Sequence, residues 1–513
     1  MKIKNALISL YKKDGIEELL EILKKYSVNI YATSSTAKYI KECGYDVHQT
    51  EEITGISELL GGRVKTLNTD LFAGILARKD KDDTSKIKVL FDLVVVDLYP
   101  FEEYFKNSKN PKEDLDELIE KIDIGGVSLI RAAAKNYKYV GIIVDKNDYK
   151  TIAKHIDEND GEIADYTLSL LAQKAFNRVV EYDSTIFKFF SIINENESML
   201  PNNLNLILKK KSDLRYGENP HQKGSLYVVS GSRNSLADLK VIQGKEMSFN
   251  NYLDLDAAIN ITLSFEQPAC SIIKHCNPCG VGVGDTISDA FQFAHISDPK
   301  SAFGGIIALN RECDEETAEM ISPLFMEVIY APSFSENSLK ILSKKKNLRI
   351  VEGDVEINKE VELRSLSGCY LAQNKDNIQD NTSFFQVVTE KQPTEKEWAA
   401  IYFGWKVVRF VKSNAIVVAT PNRTMGICGG QTSRVDAVEI ALKKAGGMAA
   451  YTGGSALASD GFFPFRDSID IIAKEGIYAI VQPGGSIKDK EVIEACNEHG
   501  ISMVFTNVRH FKH

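Results

Sequence analysis

The chain has 513 residues, enough for two to four domains with a sizeable core, and the composition of an ordinary globular protein. Its formal net charge of −9 argues against a nucleic-acid-binding protein, because such proteins are usually basic. Its eight cysteines lack the spacing of a disulfide framework, which indicates a reducing compartment. No run approaches the ~20 apolar residues of a membrane helix. We therefore expect a cytoplasmic protein that binds neither nucleic acid nor membrane.

Strands and helices alternate through about the first 195 residues. Amphipathic stretches predict the helices, and apolar stretches predict strands at 5–10, 28–32, 91–98 and 139–144. Alternation of this kind is typical of a mostly parallel sheet.

Three polar loops of this half are candidate binding sites. Thr33-Ser34-Ser35-Thr36 runs from a strand into a helix, where free backbone N–H groups can cradle a phosphate; N-capping by Ser or Thr is the alternative. The loop at 61–66 adds two cations and a hydroxyl after flexible glycines, and is either an anion clamp or a surface turn. The loop at 123–126 precedes a helix predicted at 127–135, which carries Lys135.

The second half has its clearest signal where an apolar strand at 270–273 stops at Lys274-His275. The following Asn277-Pro278 predicts a turn. Lys supplies a fixed positive charge and His exchanges a proton near neutral pH, so the pair suits acid–base chemistry. Ligands of open α/β sheets bind at the carboxyl ends of strands, which is where this pair lies.

Two other interpretations of this stretch compete with acid–base chemistry. The first is a plain surface turn. The second is a zinc site, because Cys276 and Cys279 form a C-x-x-C next to His275. Zinc ribbons need a second Cys pair, and zinc deaminases need a Glu two residues after the His. The sequence supplies neither, so zinc is disfavoured.

Residues 270–305 and 415–465 follow the same order of strand, polar turn, glycine-rich stretch and helix, which indicates an internal repeat. The glycine-rich stretches are 280–284 and 426–430, and the second is expected to form a loop. The segment 194–205 is rich in Asn, Ser and Pro and predicts a linker between the halves.

Several motifs resemble the family of bifunctional purine-biosynthesis enzymes that combine aminoimidazole carboxamide ribonucleotide (AICAR) formyltransferase with inosine monophosphate (IMP) cyclohydrolase. They are Gly-Gly-Arg-Val-Lys-Thr-Leu (61–67), Ala-Gly-Ile-Leu-Ala-Arg (73–78), Leu-Tyr-Pro-Phe (98–101), Ile-Asp-Ile-Gly-Gly (122–126) and Arg-Tyr-Gly-Glu-Asn-Pro-His-Gln (215–222). The resemblance covers nearly the whole chain and is stronger after residue 207.

This resemblance implies an α/β fold in two parts. Residues 1–195 would form a methylglyoxal-synthase-like domain with a parallel sheet, and 196–206 a linker. Residues 207–513 would form a formyltransferase domain of two cytidine-deaminase-like α/β/α subdomains, 207–375 and 376–513, without the deaminase zinc.

The implied activities are the last two steps of IMP synthesis. A formyl group passes from the co-substrate 10-formyltetrahydrofolate to the 5-amino group of AICAR, and the product, FAICAR, then loses water and closes to IMP. The resemblance also implies a homodimer with shared transferase sites, and leaves open a need for a monovalent cation such as potassium. The alternatives are a zinc-dependent base deaminase, or a nucleotide-sensing module whose first domain is degraded.

The resemblance carries site residues over position by position. For ring closure it implies catalytic Lys65, Asp123 and Lys135, with substrate contacts from Thr33, Thr36, Arg63, Thr66, Tyr99 and Gly125. For formyl transfer it implies Lys274 and His275 as the acid–base pair and Asn414 beside the formyl group. It places further substrate contacts at Arg215, Tyr216, His221, Asn251, Phe303, Gly304, Gln431, Arg434, Phe462, Asp467, Arg509 and Phe511.

Ring closure suits the first set chemically. An amide nitrogen attacks a formyl carbonyl, so a cation such as Lys65 or Lys135 can stabilise the oxyanion while Asp123 relays protons.

The first half departs from the family at several positions. Ser34 and Ser35 replace a Gly-Gly, Asn68-Thr69 replaces a His-Pro, and Asp97 replaces an Asn. An added carboxylate is unfavourable close to a phosphorylated substrate. Two expectations therefore stay open for the first half: a retained but slower cyclohydrolase, or a degraded domain.

Overall fold

The computed structural model describes residues 1–56, 59–194, 200–232, 234–356, 361–376, 382–447 and 454–513. The chain divides into two compact units, Met1–Ile207 and Leu208–His513. Residues 196–199 of the predicted linker lie outside the described residues.

The first unit is built on a parallel sheet in the order β3-β2-β1-β4-β5. Its strands are β1 (Asn5–Leu10), β2 (Asn29–Ala32), β3 (His48–Gln49), β4 (Leu93–Asp97) and β5 (Gly141–Ile143). Its helices are α1 (Glu17–Lys25), α2 (Ser34–Glu42), α3 (Glu51–Thr54), α4 (Thr69–Leu76), α5 (Phe101–Asn107), α6 (Leu115–Ile119), α7 (Gly125–Lys135), α8 (Tyr149–Glu158) and α9 (Asp165–Ile193). The predicted alternation and parallel sheet are confirmed.

Apolar side chains on the two faces of this sheet pack into separate clusters, as expected for a parallel sheet covered by helices on both sides. Leu93 and Val95 of β4 belong to one cluster, whereas Val94 and Val96 belong to the other. The strand order reverses at β1, which lies between β2 and β4. Such switch points are where ligands bind, outside the carboxyl ends of the strands.

The second unit contains two copies of one arrangement. The first copy comprises β8 (Lys240–Gln243), α10 (Phe249–Thr262), β9 (Ala269–Lys274), β10 (Asn277–Val283), α11 (Ile287–Ser297), α12 (Pro299–Ala302), β11 (Ile306–Leu309), α13 (Glu315–Ile321), β12 (Val328–Ala331), α14 (Glu336–Leu342) and β13 (Arg349–Glu352). The second comprises β16 (Gln386–Val387), α15 (Glu395–Val408), β17 (Ile416–Ala419), β18 (Thr424–Cys428), α16 (Arg434–Ala445), β19 (Ala456–Ser459), α17 (Asp467–Lys474), β20 (Ala479–Gln482), α18 (Asp489–Glu498) and β21 (Ser502–Phe505).

The two sheets have equivalent strand orders, β10-β9-β11-β12-β13-β8 and β18-β17-β19-β20-β21-β16. Each sheet has a β-hairpin at one edge, β9–β10 or β17–β18, and this hairpin pairs antiparallel with the first of three parallel strands. An antiparallel strand, β8 or β16, forms the opposite edge. The structure therefore confirms the predicted internal repeat. One apolar cluster contains residues of both copies, so the copies share a core.

The glycine-rich stretches differ from the prediction. Gly280 and Gly282 lie in β10 and Gly426 lies in β18, so the expected loop is largely a strand. A Cβ atom on Gly280 would overlap the carbonyl oxygen of Ala294 in α11, and one on Gly426 would overlap that of Ala441 in α16. The glycines are there because a helix backbone lies directly on the strand, which local turn signals cannot reveal.

Two hairpins complete the second unit. β6 (Leu208–Leu214) pairs with β7 (Gly224–Val229), and β14 (Val361–Leu366) pairs with β15 (Cys369–Asn374). Each forms its own two-stranded sheet, and most of their residues are exposed.

Candidate active sites

The first candidate site lies at the carboxyl ends of β1, β2 and β4. Thr36 is fully buried; its hydroxyl accepts a hydrogen bond from Leu10 N at 3.0 Å and lies 3.3 Å from the hydroxyl of Thr33. Among the described contacts, the Thr33 side chain makes no capping bond at α2. The N-capping alternative is therefore not what the structure shows, and these hydroxyls instead tie the first turn of α2 to β1.

Asp123 is a partly buried carboxylate of this site. Its carboxylate accepts hydrogen bonds from Gly126 N at 2.7 Å and from Tyr99 N at 3.3 Å. Its own N–H donates to the Tyr182 hydroxyl at 2.8 Å. Burial raises the pKa of Asp123, the two N–H groups oppose that rise, and the negative charge of Asp97 adds to it. A carboxylate that holds its proton more readily than usual is suited to relay protons.

Thr66 and Gly125 lie against each other. Thr66 is buried, and a Cβ atom on Gly125 would lie 2.5 Å from the Thr66 hydroxyl oxygen. Glycine is therefore required where this hydroxyl meets the first turn of α7. Lys65 is half-buried and directly precedes Thr66, so the structure brings the 61–66 and 123–126 loops together.

Of three further predicted residues, Arg63 and Tyr99 belong to the segments around Asp123, whereas Lys135 lies at the far end of α7. Arg63 is exposed, and its Nε donates to a Glu120 carboxylate oxygen at 3.2 Å. Tyr99 is 48% exposed, and its ring centroid lies 5.2 Å from that of Tyr11. Lys135 is exposed at the last residue of α7, so about 15 Å of helix separate it from Asp123. The structure does not bring Lys135 to Asp123.

The second candidate site is centred on the turn between β9 and β10. Lys274 pairs with Asn277, so His275 and Cys276 form a two-residue turn with φ of 55° and 57°. Two left-handed residues identify a type I′ hairpin turn. The prediction that Asn277-Pro278 would form the turn is wrong, because both belong to β10.

A carboxylate on α10 holds this strained turn. Asp254 accepts hydrogen bonds from Cys276 N at 2.6 Å and from His275 N at 3.3 Å. Non-glycine residues adopt left-handed backbone at a cost of about 1–2 kcal/mol each, which these charge-assisted bonds offset. His275 is left exposed at the tip.

Lys274 points to the loop that follows α12. Its ammonium donates to the Phe303 carbonyl at 2.8 Å. Phe303 is 62% exposed, and its ring lies 5.0 Å from that of Phe325. Gly304 has φ of 74° and donates its N–H to the Phe325 carbonyl at 2.8 Å. The structure thus brings Lys274, Phe303 and Gly304 together, as a shared site requires.

Asn414 is fully engaged by its neighbours. Its side-chain oxygen accepts from Arg434 at 2.7 Å. Its side-chain nitrogen donates to the carbonyls of Gln431 at 3.0 Å and Thr432 at 3.3 Å. The three predicted residues Asn414, Gln431 and Arg434 therefore meet beside the β17–β18 hairpin of the second repeat.

A buried ion pair supports this group. The Arg434 side chain is 7% exposed and that of Asp460 is 0% exposed, and the two form a salt bridge. The Asp460 carboxylate also accepts from Ala415 N at 3.0 Å and from the Ser413 hydroxyl. Arg434 thus orients Asn414, and Asp460 orients Arg434.

The last residues of the chain pack onto this ion pair. The His510 backbone N–H donates to the Asp460 carbonyl at 3.1 Å. The His510 imidazole lies 2.6 Å from the Asp376 carboxylate, and its ring centroid lies 4.7 Å from that of Trp405, with the two rings tilted by 50°. The Ser413 N–H donates to the Lys512 carbonyl at 2.8 Å. These contacts hold the end of the chain in place beside the Asn414 segment.

The neighbouring Arg509 and Phe511 pack on each other. The Arg509 guanidinium lies 4.2 Å from the centroid of the Phe511 ring. A Cβ atom on Gly461 would lie 2.6 Å from this ring, which places Phe511 beside the Asp460 segment.

The tail also lies near the His275 turn. Burial raises the pKa of the Cys276 thiol and the charge of Asp254 raises it further, whereas Lys412 and Lys512 oppose the rise. These charges act on the thiol because the turn and the tail are neighbours. Burial lowers the pKa of Lys512, which Asp256 partly restores. The two repeats therefore bring the Lys274-His275 turn and the Asn414 segment towards one region.

The motif at 215–222 forms the turn of the β6–β7 hairpin. The Arg215 guanidinium lies 5.4 Å from the Tyr216 ring centroid, and Arg215 and His221 are exposed. Asn250 of α10 donates to the Glu218 carbonyl at 3.2 Å, which links this turn to the first turn of α10.

The other predicted contacts have separate local roles. Asn251 forms a reciprocal capping box with Ser248 at the start of α10. Asp467 is exposed at the start of α17 and accepts from Ser468 N at 2.7 Å. Phe462 is 39% exposed. The described contacts do not join these three residues to one another.

Sequence reasoning missed Asp254, Asp376, Asp460 and His510. Each acts on residues far away along the chain, so local pattern gave no signal for them. The one available clue was for Asp460. It follows Ser459 in Ser-Asp-Gly-Phe of the second repeat, a segment that corresponds in position to Ser-Ala-Phe-Gly (301–304) of the first repeat.

Among the described residues, no three His, Cys, Asp or Glu side chains are grouped so that they could hold a metal ion. Burial raises the pKa of Cys279 to about 11, so this thiol is a packing group. No helix in the described part of the chain is long and apolar enough to cross a membrane.

Comparison with known proteins decides between the interpretations. The family model described as AICARFT/IMPCHase bienzyme matches residues 133–444, and that of the MGS-like domain matches residues 15–128. The chain belongs to the AICARFT/IMPCHase bienzyme family. The first unit is correspondingly an MGS-like domain with a parallel sheet.

Relatives of this bienzyme family match over their full lengths. The bifunctional purine biosynthesis protein PurH of Persephonella marina is 46% identical over 99% of this chain and 100% of its own length. PurH of Aquifex aeolicus is 46% identical, and PurH of Halalkalibacterium halodurans is 44% identical, each over the same shares. Among solved structures, ForH matches 37% of this chain and 98% of its own at 29% identity, with a TM-score of 0.34 that carries no weight for the fold.

The buried ion pair gives a stability prediction. Replacing Asp460→Asn leaves the Arg434 cation buried without a counter-charge, which should lower the free energy of unfolding of the second unit by about 3–5 kcal/mol. Urea unfolding followed by tryptophan fluorescence measures this, because both tryptophans, Trp398 and Trp405, lie in this unit. Asp436→Asn, an exposed carboxylate on α16, is the matched control and should change stability by less than about 0.5 kcal/mol. Equal effects of the two substitutions would contradict the role given to Asp460.

Proposed function

We propose that this chain catalyses the last two steps of IMP synthesis. It transfers a formyl group from 10-formyltetrahydrofolate to the 5-amino group of AICAR, and then closes FAICAR to IMP with loss of water. The full-length likeness to bifunctional PurH proteins is the observation that carries this conclusion. The two separate polar centres, one in each unit, support it.

The second unit supplies the transferase chemistry in this proposal. The AICAR amine is a poor nucleophile, because the neighbouring carboxamide withdraws its electrons. It attacks the formyl carbon of the folate, and His275 takes or orients the amine proton. Lys274 gives a proton to the departing folate nitrogen. Both side chains start from the turn that Asp254 holds.

Asn414 is proposed to hold the oxyanion of this step, and its geometry adds a condition. Both of its N–H groups already donate to backbone carbonyls, of Gln431 and Thr432. One of these bonds must therefore be exchanged for the substrate oxygen. We expect the bond to the Thr432 carbonyl to break, because at 3.3 Å it is the longer and therefore the weaker of the two.

The first unit supplies ring closure. Asp123 accepts the proton that the carboxamide nitrogen loses, and Lys65 stabilises the oxyanion from the loop that carries Thr66. Lys135 lies at the other end of α7, so any contact that it makes with substrate comes from a different direction than that of Asp123. We expect ring closure to be retained despite Ser34, Ser35, Asn68, Thr69 and Asp97.

The other interpretations receive no support from the comparisons. Neither a zinc-dependent base deaminase nor a nucleotide-sensing module is among the relatives described above. The cytidine-deaminase-like description of the two repeats stays a prediction from resemblance. So does the division of the second unit at 207–375 and 376–513.

A need for potassium likewise stays a prediction. The buried Asp460 carboxylate already has Arg434 as its counter-charge, so it does not call for a second cation. No step of the proposed mechanism passes through a metal ion.

We also propose a homodimer. The β6–β7 and β14–β15 hairpins are two-stranded sheets, and such hairpins are marginally stable unless a further surface packs on them. They expose large apolar side chains, with Tyr227 at 50%, Tyr370 at 69% and Leu371 at 58% exposure. A second copy of the chain is the proposed cover.

The function is tested by adding AICAR and 10-formyltetrahydrofolate to the purified protein and following folate absorbance and IMP together. Lys274→Ala and His275→Ala should each abolish formyl transfer, because each removes one partner of the proton exchange. Both should leave the conversion of added FAICAR to IMP unchanged, since that reaction belongs to the first unit. Near-normal transfer by either variant would refute its assigned role.

The homodimer predicts a light-scattering mass of two chains for the active enzyme, where one chain is 57.1 kDa. Burial of the exposed hairpins is the physical reason. A single-chain mass measured on active protein would refute the shared-site arrangement.

A further inference from the structure

The ring-closure site contains a second carboxylate, Asp97, beside Asp123. Asp97 ends β4, and Tyr99, two residues later, donates its N–H to the Asp123 carboxylate at 3.3 Å. Leu98 lies against the same loop, since a Cβ atom on Gly126 would lie 2.8 Å from its side chain and 2.7 Å from the Asp123 carboxylate. Residues 97–99 thus run directly along the Asp123 loop.

Lys12 stabilises the Asp97 carboxylate. Its backbone N–H donates to the Asp97 carboxylate at 2.8 Å, and its ammonium pairs with Glu103 at 2.5 Å. Burial raises the pKa of Asp97; the Lys12 N–H and the charges of Arg178 and Lys12 oppose this rise, and Glu103 adds to it. The buried Tyr149 of α8 also faces Asp97, whose charge contributes to the raised pKa of that phenol.

Asp123 faces fewer charges. The Tyr182 hydroxyl of α9 accepts a hydrogen bond from the Asp123 N–H. The N–H groups of Gly126 and Tyr99 donate hydrogen bonds to the Asp123 carboxylate. Burial is the main cause that raises the pKa of Asp123, and the charge of Asp97 adds to that rise. Together with the path of residues 97–99 along the Asp123 loop, this makes Asp97 a neighbouring charge for the group that is proposed to accept the proton.

We propose that Asp97 is a positioning residue of the ring-closure site, which acts through Asp123: its negative charge makes Asp123 a stronger base for the proton of the carboxamide nitrogen. This inference rests on the proposed function, because it requires Asp123 to be that base. The position holds Asn in the pattern that the family resemblance implies, so this chain differs there by one charge on a side chain of the same shape.

The chemistry of ring closure explains why the negative charge of Asp97 would matter. The carboxamide nitrogen must lose a proton as the C–N bond forms, and Asp123 must be ionised to take it. A base that binds its proton more tightly drives this transfer further, following Brønsted behaviour. Lys12 and Arg178 keep the added charge from repelling the phosphorylated substrate as strongly as a bare carboxylate would.

Asp97→Asn tests the proposal through the pH dependence of kcat/KM for the closure of FAICAR. Loss of the neighbouring negative charge lowers the pKa of Asp123, so the base stays ionised at lower pH. The acid limb of the profile should therefore move measurably to lower pH. The substrate phosphate also titrates, but identically with every variant, so the difference between profiles belongs to the protein.

Two variants serve as matched controls. Asp97→Glu keeps the charge and should keep the acid limb where the unaltered chain has it. Asp83→Asn removes the same charge at an exposed loop residue and should shift nothing. If Asp97→Asn does not fold, as judged by circular dichroism, Asp97→Ser provides the neutral side chain instead.

An acid limb that is unmoved in the neutral variants, or that moves to higher pH, would overturn the role of Asp97. Failure of the unaltered chain to close FAICAR would instead overturn the proposed function. The two failures are therefore separate readouts of the same experiment.

Discussion

The transferase site depends on one interaction: the Asp254 carboxylate accepts hydrogen bonds from the backbone N–H groups of His275 and Cys276. His275 and Cys276 both adopt left-handed backbone, which L-residues avoid because Cβ approaches the carbonyl oxygen. Asp254 offsets that cost with bonds of 2.6 and 3.3 Å from α10. The turn then ends β9 with an ammonium and an imidazole side by side, and the β-hairpin and α10 fix their position.

The second repeat completes the site by the same means, with buried polar groups that fix a loop. The buried Arg434, which is paired with Asp460, donates to the side-chain oxygen of Asn414 and so leaves this amide a single orientation. The β10 and β18 hairpins join the repeats, since Val281 N donates to the Thr424 hydroxyl at 3.0 Å and Val283 N to the Asn422 carbonyl at 2.9 Å. Duplication thus gives two strand ends with different chemistry on one shared core.

Local pattern in the sequence was enough for the parallel sheet, the repeat and the Lys274-His275 strand end, because these depend on hydrophobic periodicity and on neighbouring residues. It failed at the β9–β10 turn and at Gly426, where a carboxylate or a helix from elsewhere in the chain decides the backbone. It could not find the contact of His510 with Asp376, which are 134 residues apart. The roles of the individual site residues still derive from the family resemblance, because the fold alone does not assign chemistry to them.

The most direct test of this account is the rate of formyl transfer by Asp254→Asn, measured with AICAR and 10-formyltetrahydrofolate against FAICAR closure by the same protein. Loss of the charge that holds the left-handed turn displaces Lys274 and His275, and small displacements of reacting groups cost on the order of a hundredfold in rate. The account predicts a fall in transfer of roughly that size with ring closure unchanged. Transfer at the rate of the unaltered chain would contradict it.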